Sequence, residues 1–333
     1  MALVLSAYSL VSRAVCRLKR ALRSAGLTRA ARAPLPVISV GNIALGGSEK
    51  TPLVMDLLSF LRGLGFRPAL VTRGYRGSWE KTGGVAADGR SAPAGWREAG
   101  DEPAMIARRL PGVGIFVGRR RLESCRKAAA AGFDIAVLDD GFQHLRLHRD
   151  LDIVLVGSGR APLREGPGAL RRAGIVLIKE GPPGRHQRRA RRAAGGPVFS
   201  YSVVPLGIRP LRDEDGGAPG PWNGRRILSF CGIARPERFL DALAGLGITP
   251  VRHLAFPDHH GYPPATVRKI EAAVRDSGAE AVLMTEKDAV KWRDLGRTVP
   301  PVRSYYLEIG LVLPDDFHVC VRRLLGRSPE ARS

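Results

Sequence analysis

The stretch that decides the fold is residues 37–52, Val37-Ile38-Ser39-Val40-Gly41-Asn42-Ile43-Ala44-Leu45-Gly46-Gly47-Ser48-Glu49-Lys50-Thr51-Pro52. Its apolar, β-branched start predicts a buried strand, and residues 53–64 have the pattern of a helix. A strand, a glycine-bearing loop, Lys-Thr and a helix together form the context of a phosphate-binding loop. The loop N–H groups and the helix N-terminus would hold phosphates, with Lys50 on their oxygens and Thr51 on Mg²⁺.

The loop departs from the strict G-x-x-x-x-G-K-[ST] pattern at two positions. Ala44 stands where the first glycine belongs, and Glu49 stands immediately before the lysine. We still predict that Gly46, Gly47, Ser48 and Glu49 line the bound phosphates. On this motif alone, an ordinary strand-to-helix turn stays open.

Two acids support a nucleotide site. The predicted strand 135–138 ends at Asp139 and Asp140, and carboxylates at the end of a buried strand are typical Mg²⁺ ligands in P-loop enzymes. Acids at this place can also cap the next helix. Together with the loop upstream, they predict Mg-nucleotide chemistry with Thr51, Asp139 and Asp140 as the metal ligands.

Two further polar clusters are candidates for catalysis. Residues 100–103, Gly-Asp-Glu-Pro, precede a helical stretch, so Asp101 either caps that helix or accepts the proton of an attacking hydroxyl. Residues 258–260, Asp-His-His, lie in an otherwise plain region of the second half. An imidazole there would orient Asp101 across a cleft between two domains.

The whole chain is strongly basic. Its 333 residues contain 53 Lys+Arg and 31 Asp+Glu, a formal net charge of +22, which favours an anionic partner. The densest basic runs, 119–121 and 186–192, lack interleaved aromatics, so nucleic acid is not the expected partner. A scattered, solvated basic surface is the alternative interpretation. Four distant cysteines without a C-x-x-C pair predict neither a zinc site nor disulfides, and a reducing cytoplasm fits.

The N-terminal residues 1–30 predict an amphipathic helix. Apolar residues recur at spacings of four and three, and arginines fall on the opposite face. The apolar positions are Val4, Tyr8, Val11, Val15, Leu18 and Leu22. The apolar run is too short to span a bilayer, so we expect contact with an anionic membrane surface. A helix docked on the protein core is the alternative.

Short β-branched runs alternate with helical patterns along the chain, which predicts an α/β fold with a parallel sheet. We expect a P-loop domain over residues 31–204, a Gly- and Pro-rich linker over 205–225, and a smaller α/β domain over 226–333. The predicted strands are 37–40, 69–72, 114–117, 135–138, 153–156, 175–178, 227–230 and 281–284. The predicted helices after the N-terminal one are 53–64, 104–110, 236–246 and 264–277.

Taken together, these motifs resemble the tetraacyldisaccharide 4′-kinase (lipid A 4′-kinase) family over nearly the whole chain and in the same order. The most specific strings are residues 139–144, Asp-Asp-Gly-Phe-Gln-His, and residues 285–290, Thr-Glu-Lys-Asp-Ala-Val. The resemblance implies a two-domain P-loop protein on the cytoplasmic face of the bacterial inner membrane. It implies transfer of the ATP γ-phosphate, with Mg²⁺, to the 4′-hydroxyl of a tetraacylated glucosamine disaccharide 1-phosphate.

The resemblance also implies roles for single residues. Asp101 resembles the general base of the family, with His259 as its partner in a dyad, and Lys50 and Thr51 hold the phosphates and the metal. Arg73, Arg121 and Gln143 resemble phosphate or substrate contacts.

Glu49 is the main departure from the family, which usually has glycine at this position. We expect its carboxylate to repel phosphate and slow the enzyme without abolishing activity, unless the side chain points outward or pairs with an arginine.

Three other functions remain open on the sequence. The first is a kinase of another lipid or sugar, and the second is a metallochaperone-type GTPase. The third is a protein that binds the membrane surface and is impaired in catalysis by Glu49. The GTPase is disfavoured because residues 286–288, Glu-Lys-Asp, lack the spacing of a guanine-specificity motif. The impaired binding protein is disfavoured because every proposed chemical role is still filled.

Overall fold

The computed structural model describes residues 11–12, 14–16, 29–44, 49–157, 162–212, 221–222, 224–295 and 302–326. Most of the amphipathic helix predicted over residues 1–30 therefore lies outside the described residues. Within it, residues 11–12 and 14–16 are helical, with Val11 and Val15 exposed and Cys16 buried. In the described part of the chain, no helix is both long and apolar enough to cross a membrane.

The described residues form twelve strands. These are β1 (Val37–Asn42), β2 (Pro68–Thr72), β3 (Gly84–Asp88), β4 (Gly114–Val117), β5 (Ile135–Asp139), β6 (Leu151–Val156), β7 (Ile175–Lys179), β8 (Val198–Pro210), β9 (Ile227–Cys231), β10 (Arg252–Ala255), β11 (Ala281–Thr285) and β12 (Arg303–Val312). They make one continuous sheet in the order β10-β9-β11-β12-β8-β7-β6-β1-β5-β2-β4-β3.

Helices flank this sheet. They are α1 (Lys50–Gly63), α2 (Trp79–Thr82), α3 (Trp96–Ala99), α4 (Asp101–Arg109), α5 (Arg121–Ala130), α6 (Arg185–Ala193), α7 (Pro236–Gly245), α8 (Pro264–Ser277), α9 (Glu286–Arg293) and α10 (Asp315–Leu325), with a 3-10 helix at Pro167–Arg172. A mainly parallel sheet with helices packed on it confirms the predicted α/β fold.

The N-terminal part of the sheet places the site. β1 lies between β5 and β6 and is parallel to both, and β1, β2 and β4 are buried along their whole length. Burial on both faces explains why these strands are continuous apolar runs in the sequence. The chain runs from β1 to one side of the sheet and later returns to the other, so a crevice opens at the carboxyl end of β1.

The start of the predicted linker at residues 205–210 is wrong, because these residues form the second half of β8. β8 pairs with β7 in parallel at its start and with β12 in antiparallel over residues 202–210. Pro205 pairs with Ile309 next to a register shift after Glu308, a place where a proline is tolerated because the ladder is already interrupted. β8 thereby joins the N-terminal part of the chain, with strands β1–β7, and the C-terminal part, with strands β9–β12, into one sheet.

Ion pairs between α4, α9 and β12 connect the two parts of the chain. The Nη1 atom of Arg109 lies 2.9 Å from Glu286 Oε2, and its Nε atom lies 3.1 Å from Glu308 Oε1. All three side chains are mostly buried. The start of α4, with Asp101, is thereby held facing the loop that follows β10, with His259.

Candidate active site

The phosphate loop connects β1 to α1, and its residues Gly46, Gly47 and Ser48 lie outside the described residues. The structure does describe the start of α1. Lys50 Nζ lies 3.0 Å from Asp140 Oδ1, and the Thr51 hydroxyl donates a hydrogen bond of 3.2 Å to Glu102 Oε2. The lysine and the threonine of the loop therefore already face carboxylates at the carboxyl end of the sheet.

Asp139 is the last residue of β5 and pairs with Val40 of β1, so Asp139 and Asp140 lie at the carboxyl end of the central strands. Burial raises the pKa of Asp139 to about 6. The charge of Lys50 lowers this pKa, and the charges of Glu102 and Asp140 raise it. The pKa of Asp140 is lowered instead: burial raises it, but the charges of Lys50 and Arg164 outweigh burial. Arg164 Nη1 lies 2.7 Å from Asp140 Oδ2. The two acids thus differ in how well their charge is compensated.

Glu102 is a site residue that the sequence prediction did not assign, although it follows Asp101 directly. It contacts both the Thr51 hydroxyl and the ammonium group of Lys287. Its pKa is lowered, because the charge of Lys287 and a hydrogen bond from it outweigh burial and the charge of Asp101.

Hydroxyl and carboxylate oxygens are the donors that Mg²⁺ takes, usually with water and substrate phosphates completing its shell. Thr51, Asp139 and Asp140 supply this donor chemistry, and Glu102 adds to it through its contact with Thr51. No group of three or more His, Cys, Asp or Glu side chains arranged to hold a metal ion alone occurs among the described residues. The donor chemistry of Thr51, Asp139 and Asp140 fits Mg²⁺.

Asp101 and His259 are brought together from the two parts of the chain. The Nδ1 atom of His259 lies 2.8 Å from Asp101 Oδ2, and the carboxyl group is 6% exposed. Asp101 opens α4 after Gly100, whose φ of 94° is glycine-like, and its Oδ1 accepts the N–H of Glu102 at 2.9 Å. Gly100 takes the cap position without a side-chain hydrogen bond, so Asp101 is the first residue of α4 instead of its cap, and it is the partner of the imidazole.

The charge on Asp101 is stabilised from several directions. Burial raises the pKa of this carboxyl, but the hydrogen bond to His259 and the charges of Lys287, His259 and Lys291 outweigh burial and lower it. The carboxylate is therefore ionised at neutral pH and able to accept a proton or a hydrogen bond.

A buried polar network, which the sequence prediction also left unassigned, supports this pair. Lys291 is 1% exposed, with its Nζ atom 3.1 Å from Asp288 Oδ1 and 3.7 Å from Asp101 Oδ2. The backbone N–H of Gly232 donates to the carboxylate of Asp288 at 3.0 Å. The backbone N–H of His259 in turn donates to the carbonyl of Gly232 at 3.1 Å. Asp288 lies in the Thr285–Val290 string, and Lys291 follows that string directly. The string therefore supplies side chains that support the Asp101–His259 pair.

A small pocket opens beside the dyad. Its lining residues are Tyr75, Arg76, Trp96, Gly100, Asp101, His259 and Lys291. The ring of Tyr75 meets the ring of His259 edge-on, with centroids 5.3 Å apart. The guanidinium of Arg76 donates to the carbonyl of Asp258 at 2.8 Å, so both parts of the chain build this pocket.

The three predicted phosphate or substrate contacts, Arg121, Gln143 and Arg73, lie in different surroundings. Arg121 is buried and donates to the carbonyl of Gly118; burial lowers its pKa, while the charges of Asp139 and Asp140 raise it. Arg121 thus lies within electrostatic reach of the acid pair. Gln143 donates to the Asn42 carbonyl at 2.9 Å, at the start of the phosphate loop.

Arg73, in contrast, is half-exposed and paired with Glu80 at 2.8 Å. The structure does not bring it into contact with the dyad.

Backbone strain collects around the site. Among the described residues, the non-glycine positions with positive φ are Glu49, Arg76, Asp140, His259 and Tyr262. Such conformations cost on the order of 1 kcal/mol each and are retained where the surroundings enforce them. Their concentration at the loop, the acids and the dyad marks this region as functional.

Glu49 has the left-handed backbone that a glycine would favour, with φ 58° and ψ 30°. Its side chain is nevertheless paired: Oε1 lies 2.6 Å from both Lys179 Nζ and Arg238 Nη1. The condition under which the expected repulsion disappears is therefore met. The carboxylate of Glu49 contacts two cations, and the contact of Glu49 with phosphate stays a prediction.

The comparisons with known proteins agree with this geometry. A sequence profile of the LpxK family, tetraacyldisaccharide-1-P 4′-kinase, matches residues 1–326. The tetraacyldisaccharide 4′-kinase of Anaeromyxobacter dehalogenans is 42% identical over 299 residues, which cover 84% of this chain and 78% of that protein. That of Syntrophus aciditrophicus is 38% identical over 338 residues, covering 92% and 89%.

A solved structure is also similar. The crystal structure of LpxK from Aquifex aeolicus in complex with ATP superposes with a TM-score of 0.75 at 26% identity, covering 96% of this chain and 98% of that one. The sequence and structural likenesses both extend over nearly the whole chain. The chain therefore belongs to the tetraacyldisaccharide-1-P 4′-kinase family.

Proposed function

We propose that this protein transfers the γ-phosphate of ATP to the 4′-hydroxyl of a tetraacyl glucosamine disaccharide 1-phosphate, a step in the biosynthesis of lipid A. Family membership supports the reaction and the substrate class. The observation that carries the proposal is the contact between Asp101 and His259 beside the start of α1, where Lys50 and Thr51 lie.

Asp101 acts as the general base in this proposal. The 4′-hydroxyl enters the pocket beside the dyad and gives its proton to a carboxylate oxygen of Asp101 as the hydroxyl oxygen bonds to the γ-phosphorus. The bond from the γ-phosphorus to the bridging oxygen breaks, and ADP leaves. His259 holds the carboxylate in place through its Nδ1–H, so the base is oriented before the substrate arrives.

Lys50 neutralises charge on the phosphate oxygens, and its contact with Asp140 keeps its ammonium group at the carboxyl end of the sheet. Thr51, Asp139 and Asp140, with Glu102 behind them, would hold Mg²⁺, which supplies further charge neutralisation when bound with ATP. Arg121, which feels the charges of Asp139 and Asp140, and Gln143, which donates to the Asn42 carbonyl, would contact phosphates. Arg73 would contact the substrate at the rim.

We also propose a peripheral position on the cytoplasmic face of the bacterial inner membrane. The exposed Val11 and Val15 on the described N-terminal residues, the net charge of +22 and the acylated substrate support an anionic membrane surface as partner. Sedimentation with phosphatidylglycerol vesicles, compared with phosphatidylcholine vesicles, tests this: equal binding to both would contradict it.

The kinase proposal is tested by transfer of labelled phosphate from γ-labelled ATP to purified disaccharide 1-phosphate. Transfer to this acceptor, dependent on both substrates, is the expected result. Transfer only to a different sugar or lipid would favour another kinase. Tight lipid binding without turnover would favour a protein impaired in catalysis.

A further inference from the structure

Glu49 lies at a junction between three elements. It directly precedes α1, Lys179 ends β7, and Arg238 lies in the first turns of α7. Both cations approach the same carboxylate oxygen at 2.6 Å. β7 belongs to the N-terminal part of the sheet and α7 to the C-terminal part, so a single side chain beside the phosphate loop contacts both.

This junction is shielded from solvent. The side chain of Glu49 is 13% exposed, while those of Lys179 and Arg238 are 22% and 33% exposed. The hydroxyl of the fully buried Tyr201 lies in the same environment: burial raises its pKa, and the charge of Glu49 raises it further. Ion pairs with this little solvent are screened less by salt than surface pairs, and removing one partner leaves an uncompensated charge.

The net charge of this group also matters for ATP, because Glu49 directly precedes Lys50. Glu49 contributes one negative charge, and Lys179 and Arg238 contribute two positive charges, so the group keeps an excess positive charge next to Lys50. Glu49 therefore does not turn the neighbourhood of the phosphates negative. The carboxylate of Glu49 contacts two long cationic side chains. The backbone of Glu49 continues directly into the first turn of α1.

We propose that Glu49 is a positioning residue that, with Lys179 and Arg238, fixes the start of α1 and thereby places Lys50 and Thr51 for ATP. The side-chain contacts stabilise a left-handed backbone that would otherwise be unfavourable for a glutamate. Glycine at this position relieves the backbone but loses both contacts. Glutamine keeps the strained backbone and loses the charge, so it is the more damaging substitution.

The inference rests on the proposed use of ATP, and direct ATP binding tests it independently of turnover. Calorimetry with Mg-ATP compares wild type, Glu49→Gln, Glu49→Gly, Arg238→Ala and Arg238→Lys. We expect Glu49→Gln to raise the Kd for ATP about tenfold, with Glu49→Gly intermediate and Arg238→Lys partly restoring what Arg238→Ala loses. The KM for the disaccharide stays unchanged. Arg275→Ala, an exposed arginine on α8, is the control for loss of one positive charge.

A double-mutant cycle sharpens the test. If Glu49 and Arg238 act as one unit, Glu49→Gln combined with Arg238→Ala weakens ATP binding no more than the worse single variant. Tighter ATP binding by Glu49→Gly than by wild type would overturn the proposal, since it would make Glu49 a handicap. An unchanged Kd together with a lowered melting temperature would also overturn it, because Glu49 would then be only structural. ATP binding that follows the expected order without phosphate transfer would leave this inference standing and reject the proposed reaction.

Discussion

The Nδ1 atom of His259 lies 2.8 Å from the Oδ2 atom of Asp101, and 158 positions of sequence separate the two residues. The contact exists only because α4 and the loop after β10 face each other across the two parts of the chain. The proposed base is therefore complete only in the folded, docked protein. The arrangement links catalysis to the packing of α9 against α4 and β12.

The substitution Asp101→Asn tests the base. It keeps the size of the side chain but cannot accept the hydroxyl proton, so we expect kcat to fall about 100- to 10,000-fold while ATP binding stays near the wild-type value. Steady-state kinetics and calorimetry with Mg-ATP measure both. His259→Gln should cost less, because the proposed base itself remains and only the imidazole that orients it is lost. A larger loss from His259→Gln than from Asp101→Asn would reverse the assigned roles.

Lys50→Ala tests the phosphate contact. Lys50 opens α1, and its ammonium group lies 3.0 Å from Asp140 Oδ1. Without it, the negative charge that develops on the phosphates in the transition state would lose this partner. We expect kcat/KM for ATP to fall at least about 100-fold. Lys81→Ala removes an exposed lysine from α2 and serves as the control. Similar losses from both variants would indicate a general effect of charge.

Lys291→Met tests the buried network behind the dyad. It leaves the carboxylates of Asp288 and Asp101 without this ammonium group, so we expect a loss of stability of about 3 kcal/mol. The charge of Lys291 lowers the pKa of Asp101, so its removal raises that pKa. The acid limb of the kcat/KM profile should therefore move to higher pH. Lys127→Met, at an exposed position of α5, should change neither the stability nor the pH profile.

Glu286→Gln tests the packing of α9 through the dependence of stability on pH. Burial raises the pKa of Glu286 from 4.5 to about 7. The charge of Glu308 also raises this pKa, while the charges of Arg109 and Arg293 lower it. A carboxyl group with a raised pKa stabilises the folded state fully below the unfolded value and loses this contribution as the pH rises through about 7.

Glutamine stays neutral, so at pH 8 the variant should be more stable than wild type by on the order of 2 kcal/mol, and near pH 4 the two should be equal. Denaturant unfolding at both pH values measures this difference. A variant that is less stable than wild type at pH 8 would show that the ion pair with Arg109 outweighs burial.

The sequence was most informative where structure is local. The buried parallel strands β1, β2, β4 and β5 are apolar, β-branched runs, so their positions were predicted closely. β12 was missed because it mixes polar and apolar residues, and α6 was missed because its arginine-rich sequence has almost no apolar period. Pro205 and Gly207 suggested a linker, but antiparallel pairing with β12 determines their structure.

The same distinction holds for the site. Lys50 and Thr51 open a helix, and Asp139 and Asp140 end a strand, so their meeting at one edge of the sheet follows from local patterns. No local pattern joins residues as far apart as His259 and Asp101. Their approach was inferred from two polar clusters expected to face one cleft, and the family resemblance assigned the pair to these two residues. The pairing of Glu49 with Lys179 and Arg238 depends on the docking of β7 and α7, which the sequence pattern does not describe.

Transfer of labelled phosphate from γ-labelled ATP to tetraacyl disaccharide 1-phosphate, compared between wild type and Asp101→Asn, tests the central claim most directly. We predict that wild type forms the 4′-phosphorylated product, and that Asp101→Asn binds ATP equally well but forms the product at least about 100-fold more slowly. Folded, ATP-binding wild-type protein that transfers no phosphate to this acceptor, or an Asp101→Asn variant with the wild-type rate, would contradict it.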